Sequence, residues 1–228
     1  MATLSKQVLG RISGSVDDIT FRQKNGTNFV SARPNSYTPP GDEGSVQRRS
    51  KFAYACKLAA NIISIAPLKT LWESKLTNGE TAYNKIVGTN YRFVGSDALT
   101  DQTFLTPGIG FNVQSTALTI GVTNVQVIIE ALGSNAGIDV SIEKSIQLVS
   151  IASLSSPLDG TVETFSLLPL LSRIQSLTLD AAMTFSLPFS SKTQQLFGKY
   201  QVHKLLLALI TLDADGNAVN YSTTFHGA

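Results

Sequence analysis

The feature that most constrains the fold is a series of short β-prone segments in the second half of the chain. Turn-forming pairs separate several of these segments: Pro107-Gly108, Asp159-Gly160 and Asp215-Gly216. The predicted strands cover residues 102–106, 117–122, 125–132, 138–151, 161–167, 177–189, 204–212 and 217–225. Seven or eight short strands with such punctuation are typical of a β-sandwich. We therefore expect an Ig-like β-sandwich over residues 96–228.

A β-hairpin is predicted near the N-terminus. Two β-prone runs flank Asn25-Gly26, a pair that favours the positive φ angles of a type I′ turn. A two-residue loop there would place Asp18 opposite Arg33, where a cross-strand ion pair could form. The same register gathers apolar residues on one face: Ile19, Phe21, Val30 and Ala32. The agreement between turn and register supports the hairpin.

The residues after the hairpin change character twice. Prolines and glycines between residues 34 and 44 disfavour a helix and predict an extended arm. Helical spacing follows over residues 45–65, with an apolar stripe of Phe52, Cys56, Ala59 and Ile63. Pro67 suits the first turn of a second, short helix, and a third helix is predicted at 80–90. Three aromatic residues of these helices are predicted to lie in the core: Phe52, Trp72 and Tyr83.

Together these patterns predict a mainly β protein with a small helical segment. The predicted division is a hairpin with a Pro-rich arm at 1–44, a helical segment at 45–95 and the β-sandwich at 96–228. The length of 228 residues allows a sizeable core.

The charge of the chain is low and unevenly distributed. Charged residues make up 15% of the sequence, against about 25% in an average globular protein. Residues 1–100 contain 13 Lys/Arg and 7 Asp/Glu, a net charge of +6, whereas residues 101–228 contain 5 and 9, a net charge of −4. Opposite halves could attract each other between subunits in a head-to-tail assembly. Alternatively, the charges simply solvate two different domains.

No set of residues indicates catalysis or a cofactor. His203 and His226 are the only histidines, and neither has the Cys or His neighbours of a metal site. We expect each to be a satisfied or solvent-facing side chain. The single cysteine, Cys56, excludes an intrachain disulfide and lies on the helix stripe as a small apolar residue. We therefore predict no catalytic, cofactor-binding or metal-binding residue, and a protein that is not an enzyme.

Three motif-like segments have ordinary explanations. Residues 213–217 resemble the start of a calcium loop, but Thr224 stands where the loop needs its final Glu, so a hairpin turn is predicted. The segment 108–111 is too short for a dinucleotide-binding loop and is predicted to be a turn or bulge. The Ser-Ser pairs at 155–156 and 190–191 are predicted to lie in loops, and they lack the Gly-x-Ser-x-Gly pattern of a hydrolase nucleophile.

An ordered set of N-terminal motifs resembles a known family. Residues 10–16 (GRISGSV), Phe21, Asn25-Gly26, residues 30–34 (VSARP) and 47–52 (QRRSKF) occur in that order. This set resembles a family of uncharacterised Bacteroidota proteins, a domain of unknown function that begins with a Gly-rich hairpin ending in Arg-Pro. The helix at 82–90 and the hairpin at 213–216 (DADG) also look like that family. The resemblance implies no activity and no catalytic residue.

The sequence favours a non-enzymatic structural protein that assembles with itself or with other structural proteins. The N-terminal hairpin and arm would embrace a neighbouring subunit by main-chain pairing at a sheet edge. Candidate assembly residues are Asp18, Phe21, Asn25, Gly26, Phe29, Arg33, Arg48, Arg49 and Lys51. The three cations at 48–51 could also form a solvated helix face, and they are too few to indicate nucleic-acid binding.

The expected setting is a virion, such as a phage particle or its appendage, or another assembly made inside the cell. Residues 1–10 have no apolar run typical of a secretory signal, and the apolar stretch at 58–71 is too short and interrupted to span a membrane. The alternative function is a β-sandwich binding module that recognises a sugar or a protein through loop aromatics. Tyr37 and Phe111 are the candidates for that role.

Overall fold

The computed structural model describes residues 2–3, 13–24, 26–33, 39–77, 79–160 and 162–227. The chain divides into two compact units, Met1–Val46 and Gln47–Ala228. The strands are β1 Ala2–Thr3, β2 Gly14–Val16, β3 Ile19–Lys24, β4 Thr27–Ala32, β5 Ser115–Ile120, β6 Asn124–Ile129, β7 Ser145–Pro157, β8 Phe165–Leu171, β9 Gln175–Ser176, β10 Met183–Pro188, β11 Tyr200–Leu212, β12 Ala218–Tyr221 and β13 Phe225–Gly227. The helices are α1 Glu43–Ser64, α2 Ala66–Glu73, α3 Ala82–Asn90 and α4 Ser191–Phe197.

The N-terminal unit contains a four-stranded antiparallel sheet in the order β1-β4-β3-β2. The predicted hairpin is confirmed: Lys24 pairs with Thr27 and Ile19 with Ala32. Gly26 has a φ of 79°, the left-handed conformation expected in a primed turn. A second short loop, in which Asp17 has a φ of 50°, joins β2 to β3 and adds a strand that the sequence did not predict.

Replacing Gly26 with valine should destabilise the N-terminal sheet by about 1–3 kcal/mol. The added Cβ would meet no atom within 4 Å, so the cost comes from forcing a β-branched residue to positive φ. Amide hydrogen exchange of β3 and β4 measures the effect. Gly41→Val is the control, because that site is equally open and its φ is not positive. Equal protection in the two variants would contradict the turn assignment.

Helix α1 starts beside Asp42, whose carboxylate accepts a hydrogen bond from the Ser45 amide at 2.9 Å. Its buried residues are Tyr54, Ala55, Leu58, Ala59 and Ile62. The predicted stripe is therefore only partly right: Ala59 is buried, whereas Phe52 is 55% exposed and Cys56 is only partly buried. Apolar residues flank both sides of this stripe, so helical period alone did not decide which side faces the sheet.

Helices α2 and α3 begin and end close to the predicted positions. Pro67 lies in the first turn of α2, where its missing amide hydrogen is tolerated. Thr81 caps α3 by accepting a hydrogen bond from the Asn84 amide at 3.2 Å. Trp72 is 1% exposed, as predicted for a core residue, but Tyr83 is 36% exposed and lies at the edge of the core.

The centre of the larger unit is an antiparallel sheet built on two 13-residue strands, β7 and β11. The sheet has the order β12-β11-β7-β8, with β13 also paired to β11 and β9 to β7. Leu206, Ala208 and Ile210 of β11 face a core shared with the three N-terminal helices of this unit. The alternate residues Leu205 and Leu207 face a second core on the other side of the sheet. The continuous apolar run of β11 follows from burial on both faces.

The second core lies between this sheet and a three-stranded sheet in the order β10-β6-β5. Strand β6 alternates as a half-buried strand should, with Val125, Val127 and Ile129 fully buried and Gln126 exposed. The unit thus has three layers: helices, the large sheet and the small sheet. The mainly β fold with a small helical part is confirmed, but the Ig-like prediction did not anticipate helices on the outer face of a sheet.

Three predicted segments have a different structure. Residues 102–106 form no strand, because side chains hydrogen-bond the backbone groups that a ladder would use: Asn90 bonds the Phe104 carbonyl at 3.0 Å and Trp72 the Leu105 carbonyl at 3.0 Å. The two Ser-Ser pairs predicted to lie in loops belong to regular elements instead: Ser155-Ser156 lies in β7, and Ser190-Ser191 begins α4. Ser190 caps this helix by accepting a hydrogen bond from the Thr193 amide at 3.2 Å.

The helices predicted as a separate segment at 45–95 share their core with β7, β8 and β11. The boundary between the two units falls at Val46/Gln47, within α1, and residues 47–95 belong to the same unit as the sheets of the second half. Within the part of the chain that the structure describes, no helix is both long enough and apolar enough to cross a membrane.

Candidate assembly surface

The N-terminal sheet has one apolar face. Strand pairing places Val16 opposite Ile19, and Phe21 opposite Val30, on the same side of the sheet. Val16 is 67% exposed and Ile19 is 44% exposed. Among the described residues of β2, β3 and β4, only Asn28 is buried. Within these described strands, the sheet therefore presents apolar side chains and encloses none of them.

The opposite face of the same sheet is mostly polar. Thr20 lies opposite Ser15 and Ser31, and the Thr20 and Ser15 hydroxyls are 3.5 Å apart. Phe29 belongs to this face, opposite Arg22. The structure thus does not bring the two predicted aromatic contacts together, because Phe21 and Phe29 point to opposite faces.

Asp18 and Arg33 are neighbours, as predicted, but through the backbone. The Arg33 amide donates to the Asp18 carbonyl at 2.6 Å, which extends the β3–β4 ladder by one bond. Both side chains are exposed, and the ion pairs among the described residues do not include one between them. The other predicted residues of this sheet are Gly26, which forms the turn, and Asn25, which lies outside the described residues.

The edges of the sheet are β1 and β2. Strand β2 pairs only with β3 among the described strands, and all three of its residues are exposed. An edge strand of this kind carries backbone donors and acceptors that can pair with another chain. The apolar face and this edge meet at Val16, which belongs to both.

The predicted basic cluster belongs to α1 in the larger unit. Arg48 and Arg49 are exposed. Lys51 donates to the Arg92 carbonyl at 3.2 Å and lies 5.5 Å from the centre of the Tyr91 ring. These contacts hold the Lys51 ammonium against the turn that follows α3, which fits a role in this unit's own packing.

His203 and Asp213, which were weighed as metal ligands from the sequence, make hydrogen bonds within the fold. His203 Nε2 lies 3.0 Å from the carbonyls of both Phe197 and Tyr200, which agrees with a satisfied histidine. Asp213 accepts hydrogen bonds from the amides of Asp215 and Asn217 at 2.9 and 2.8 Å, as a hairpin turn requires. Hydrogen bonding, first from the Asn217 side chain, lowers the pKa of Asp213.

Cys56 has a polar neighbour at the edge of the helix stripe, because a hydrogen bond to Cys56 raises the pKa of the Tyr83 hydroxyl. Among the described residues, no three His, Cys, Asp or Glu side chains lie together as a group that could hold a metal ion. Of the two loop aromatics expected in a binding module, Phe111 is 8% exposed and Tyr37 lies outside the described residues.

Sequence reasoning missed one polar groove in the larger unit. Asp101, Lys204 and His226 line it, although they come from a loop, from β11 and from β13. Part of this loop, residues 102–106, was predicted to be a strand. No local signal could have placed Asp101 beside His226, because only the packing of the C-terminal strand brings them together.

Neither protein families nor curated proteins provide a relative of this sequence. No protein-family model matches the sequence and no curated protein is significantly similar to it, so the resemblance to the Bacteroidota family stays a prediction.

Proposed function

We propose that this protein is a non-enzymatic structural protein that assembles with copies of itself through the N-terminal sheet. The observation that carries the proposal is an apolar sheet face that encloses no apolar side chain among the described residues. A small sheet gains most of its stability from burying one face, so such a face needs a partner.

A second copy of the chain fits this face in two ways. Val16, Ile19 and Phe21 can pack against the same residues of a neighbour across a two-fold axis, as in most homodimers. The edge strand β2 can also pair with an exposed edge of the next subunit, which extends the sheet. A phage particle or a related appendage is the setting we propose.

Deleting residues 1–33 tests the proposal directly. We expect a folded monomer, because both cores of the larger unit consist of residues after Val46. The full chain should form large particles or a defined oligomer under the same conditions. Multi-angle light scattering and negative-stain electron microscopy measure the difference, and far-UV circular dichroism reports folding. Normal assembly of the truncated chain would refute the proposal.

A matched pair of point variants separates assembly from folding. Ile19→Lys places a charge on the apolar face, whereas Thr20→Lys places the same charge on the polar face one residue along β3. We expect Ile19→Lys to raise the protein concentration needed for oligomer formation at least tenfold. Thr20→Lys should leave that concentration unchanged. Equal behaviour of the two variants, or a full-length chain that is monomeric at high concentration, would contradict assembly through this face.

A further inference from the structure

The polar groove of the larger unit consists of two adjoining hollows that share Asp101 and His226. The larger hollow has a volume of about 440 Å³ and the smaller about 180 Å³. Pockets that bind small molecules have volumes in the range of about 300–1,000 Å³. One wall is the irregular chain between α3 and β5, and the other comes from β11 and the residues around β13.

Buried hydrogen bonds hold the first wall in place. The Asn90 side chain, which is 0% exposed, donates to the Phe104 carbonyl at 3.0 Å and accepts from the Phe104 amide at 2.8 Å. The Thr103 hydroxyl, also buried, donates to the Phe93 carbonyl at 3.0 Å. A loop fixed in this way presents its side chains in one arrangement, which reduces the entropy lost when a ligand binds.

The two walls are joined at the base of the groove. The Thr224 hydroxyl accepts a hydrogen bond from the Leu105 amide at 2.9 Å. Lys204 Nζ reaches the Leu99 carbonyl at 3.4 Å from the other side. The groove is therefore held open by contacts between residues distant in sequence and does not depend on one mobile loop.

The polar groups of the groove balance one another in charge. Asp101 is an exposed carboxylate, and Lys204 supplies one positive charge. Burial lowers the pKa of His226 below its ordinary value of 6.5, with Asp101 acting to raise it and Lys204 to lower it. The imidazole is thus mainly neutral at pH 7, where it can both donate and accept a hydrogen bond. These three groups carry no net charge together.

An aromatic pair adds an apolar surface next to these polar groups. Phe93 and Phe104 line the larger hollow, with ring centroids 5.5 Å apart in an edge-to-face arrangement. Both rings are partly exposed. The groove therefore combines hydrogen-bonding side chains of both polarities with an adjacent aromatic wall.

We propose that this groove binds a neutral sugar ring, with Asp101 and His226 hydrogen-bonding the hydroxyl groups and Phe93 or Phe104 packing against the C–H face. A pyranose has this combination of a polar rim and an apolar face. Because the charges of Asp101 and Lys204 offset each other, the groove gives no net electrostatic gain to an anion or a cation, and a neutral ligand loses nothing by comparison. The site lies entirely in the larger unit and is independent of assembly through the N-terminal sheet.

Ligand-detected and ¹H–¹⁵N NMR titrations of the full chain test the proposal. The probes are methyl glycosides of glucose, mannose and galactose, N-acetylglucosamine, inorganic phosphate and glycine. We expect at least one sugar probe to bind with a Kd on the order of 1 mM, a normal affinity for a small ligand in an open groove. Phosphate and glycine should not bind in this range.

Asp101→Asn keeps the size of the side chain and removes its charge and half of its acceptor capacity. It should weaken sugar binding at least tenfold. The control is Asp215→Asn, at an exposed carboxylate in the β11–β12 turn, which should leave binding unchanged. The absence of binding by every sugar probe at 50 mM, full affinity in Asp101→Asn, or a preference for phosphate or glycine would each overturn the proposal.

Discussion

Replacing Trp72 with alanine should lower the free energy of unfolding of the larger unit by about 3–5 kcal/mol. Trp72 is 1% exposed in the core between the helices and the large sheet. Its removal leaves a large cavity that the surrounding helices and strands can fill only in part. It also deletes the indole hydrogen bond to the Leu105 carbonyl at 3.0 Å, so a buried acceptor loses its donor.

A second substitution at the same position separates these two contributions. Trp72→Phe retains much of the apolar volume but cannot donate to Leu105, so we expect a loss of about 1–3 kcal/mol from the unsatisfied carbonyl and the smaller ring. Leu105 follows directly on Phe104 in the wall of the polar groove. The phenylalanine variant should therefore also increase amide exchange in residues 103–106.

Chemical denaturation followed by far-UV circular dichroism measures both variants, since Trp72 is the only tryptophan and its fluorescence is lost with it. Phe52→Ala is the control, because Phe52 is an aromatic residue on α1 that is 55% exposed. We expect Phe52→Ala to cost about 1 kcal/mol or less. Similar losses at positions 52 and 72 would mean that the core does not lie where the structure places it.

Replacing Gly110 with alanine should destabilise the larger unit by about 3 kcal/mol, near the upper end of the usual overpacking range. An added Cβ would lie 2.7 Å from the Ser222 carbonyl carbon and closer still to the Tyr221 oxygen. Backbone atoms cannot move away as a side chain can. The backbone at Ser222 is also fixed in place, because the Ser222 amide donates a hydrogen bond to the Leu209 carbonyl at 2.8 Å.

The neighbouring glycine supplies the control for this prediction. An added Cβ at Gly108 would lie 3.5 Å from the Tyr221 hydroxyl, an ordinary van der Waals contact. We expect Gly108→Ala to change stability by about 0.5 kcal/mol or less. Thermal and urea unfolding of the two purified variants measure the difference. Equal stability of Gly110→Ala and Gly108→Ala would mean that residue 110 does not lie as close to residues 221–222 as the structure places it.

The sequence by itself determined the elements whose signals are local. The Asn25-Gly26 turn and its two-residue loop specify the β3–β4 register, because turn geometry restricts which residues can face each other. The periods of 2 and 3.6 residues located most strands and three of the four helices within a few residues. The mainly β fold followed from these elements together with the turns between them.

Only the tertiary structure decided the features that depend on residues far apart in sequence. The helical spacing of apolar residues located α1 but did not identify its buried side. Phe52 and Leu58 are both apolar, and only contact with the sheet determines that Leu58 is the buried one. In the sequence, Gly110 looked like a residue of an ordinary turn. A side chain is excluded there because the backbone of Tyr221, on another element, lies too close.

The polar groove shows the same limit most clearly. Asp101, Lys204 and His226 belong to three elements, and none carries a recognisable motif. Side-chain hydrogen bonds from Asn90 and Thr224 override the β-propensity of residues 102–106 and turn the segment into a wall of the groove. Local propensity is a weak preference of a fraction of a kcal/mol per residue, so buried polar contacts formed on packing decide the outcome.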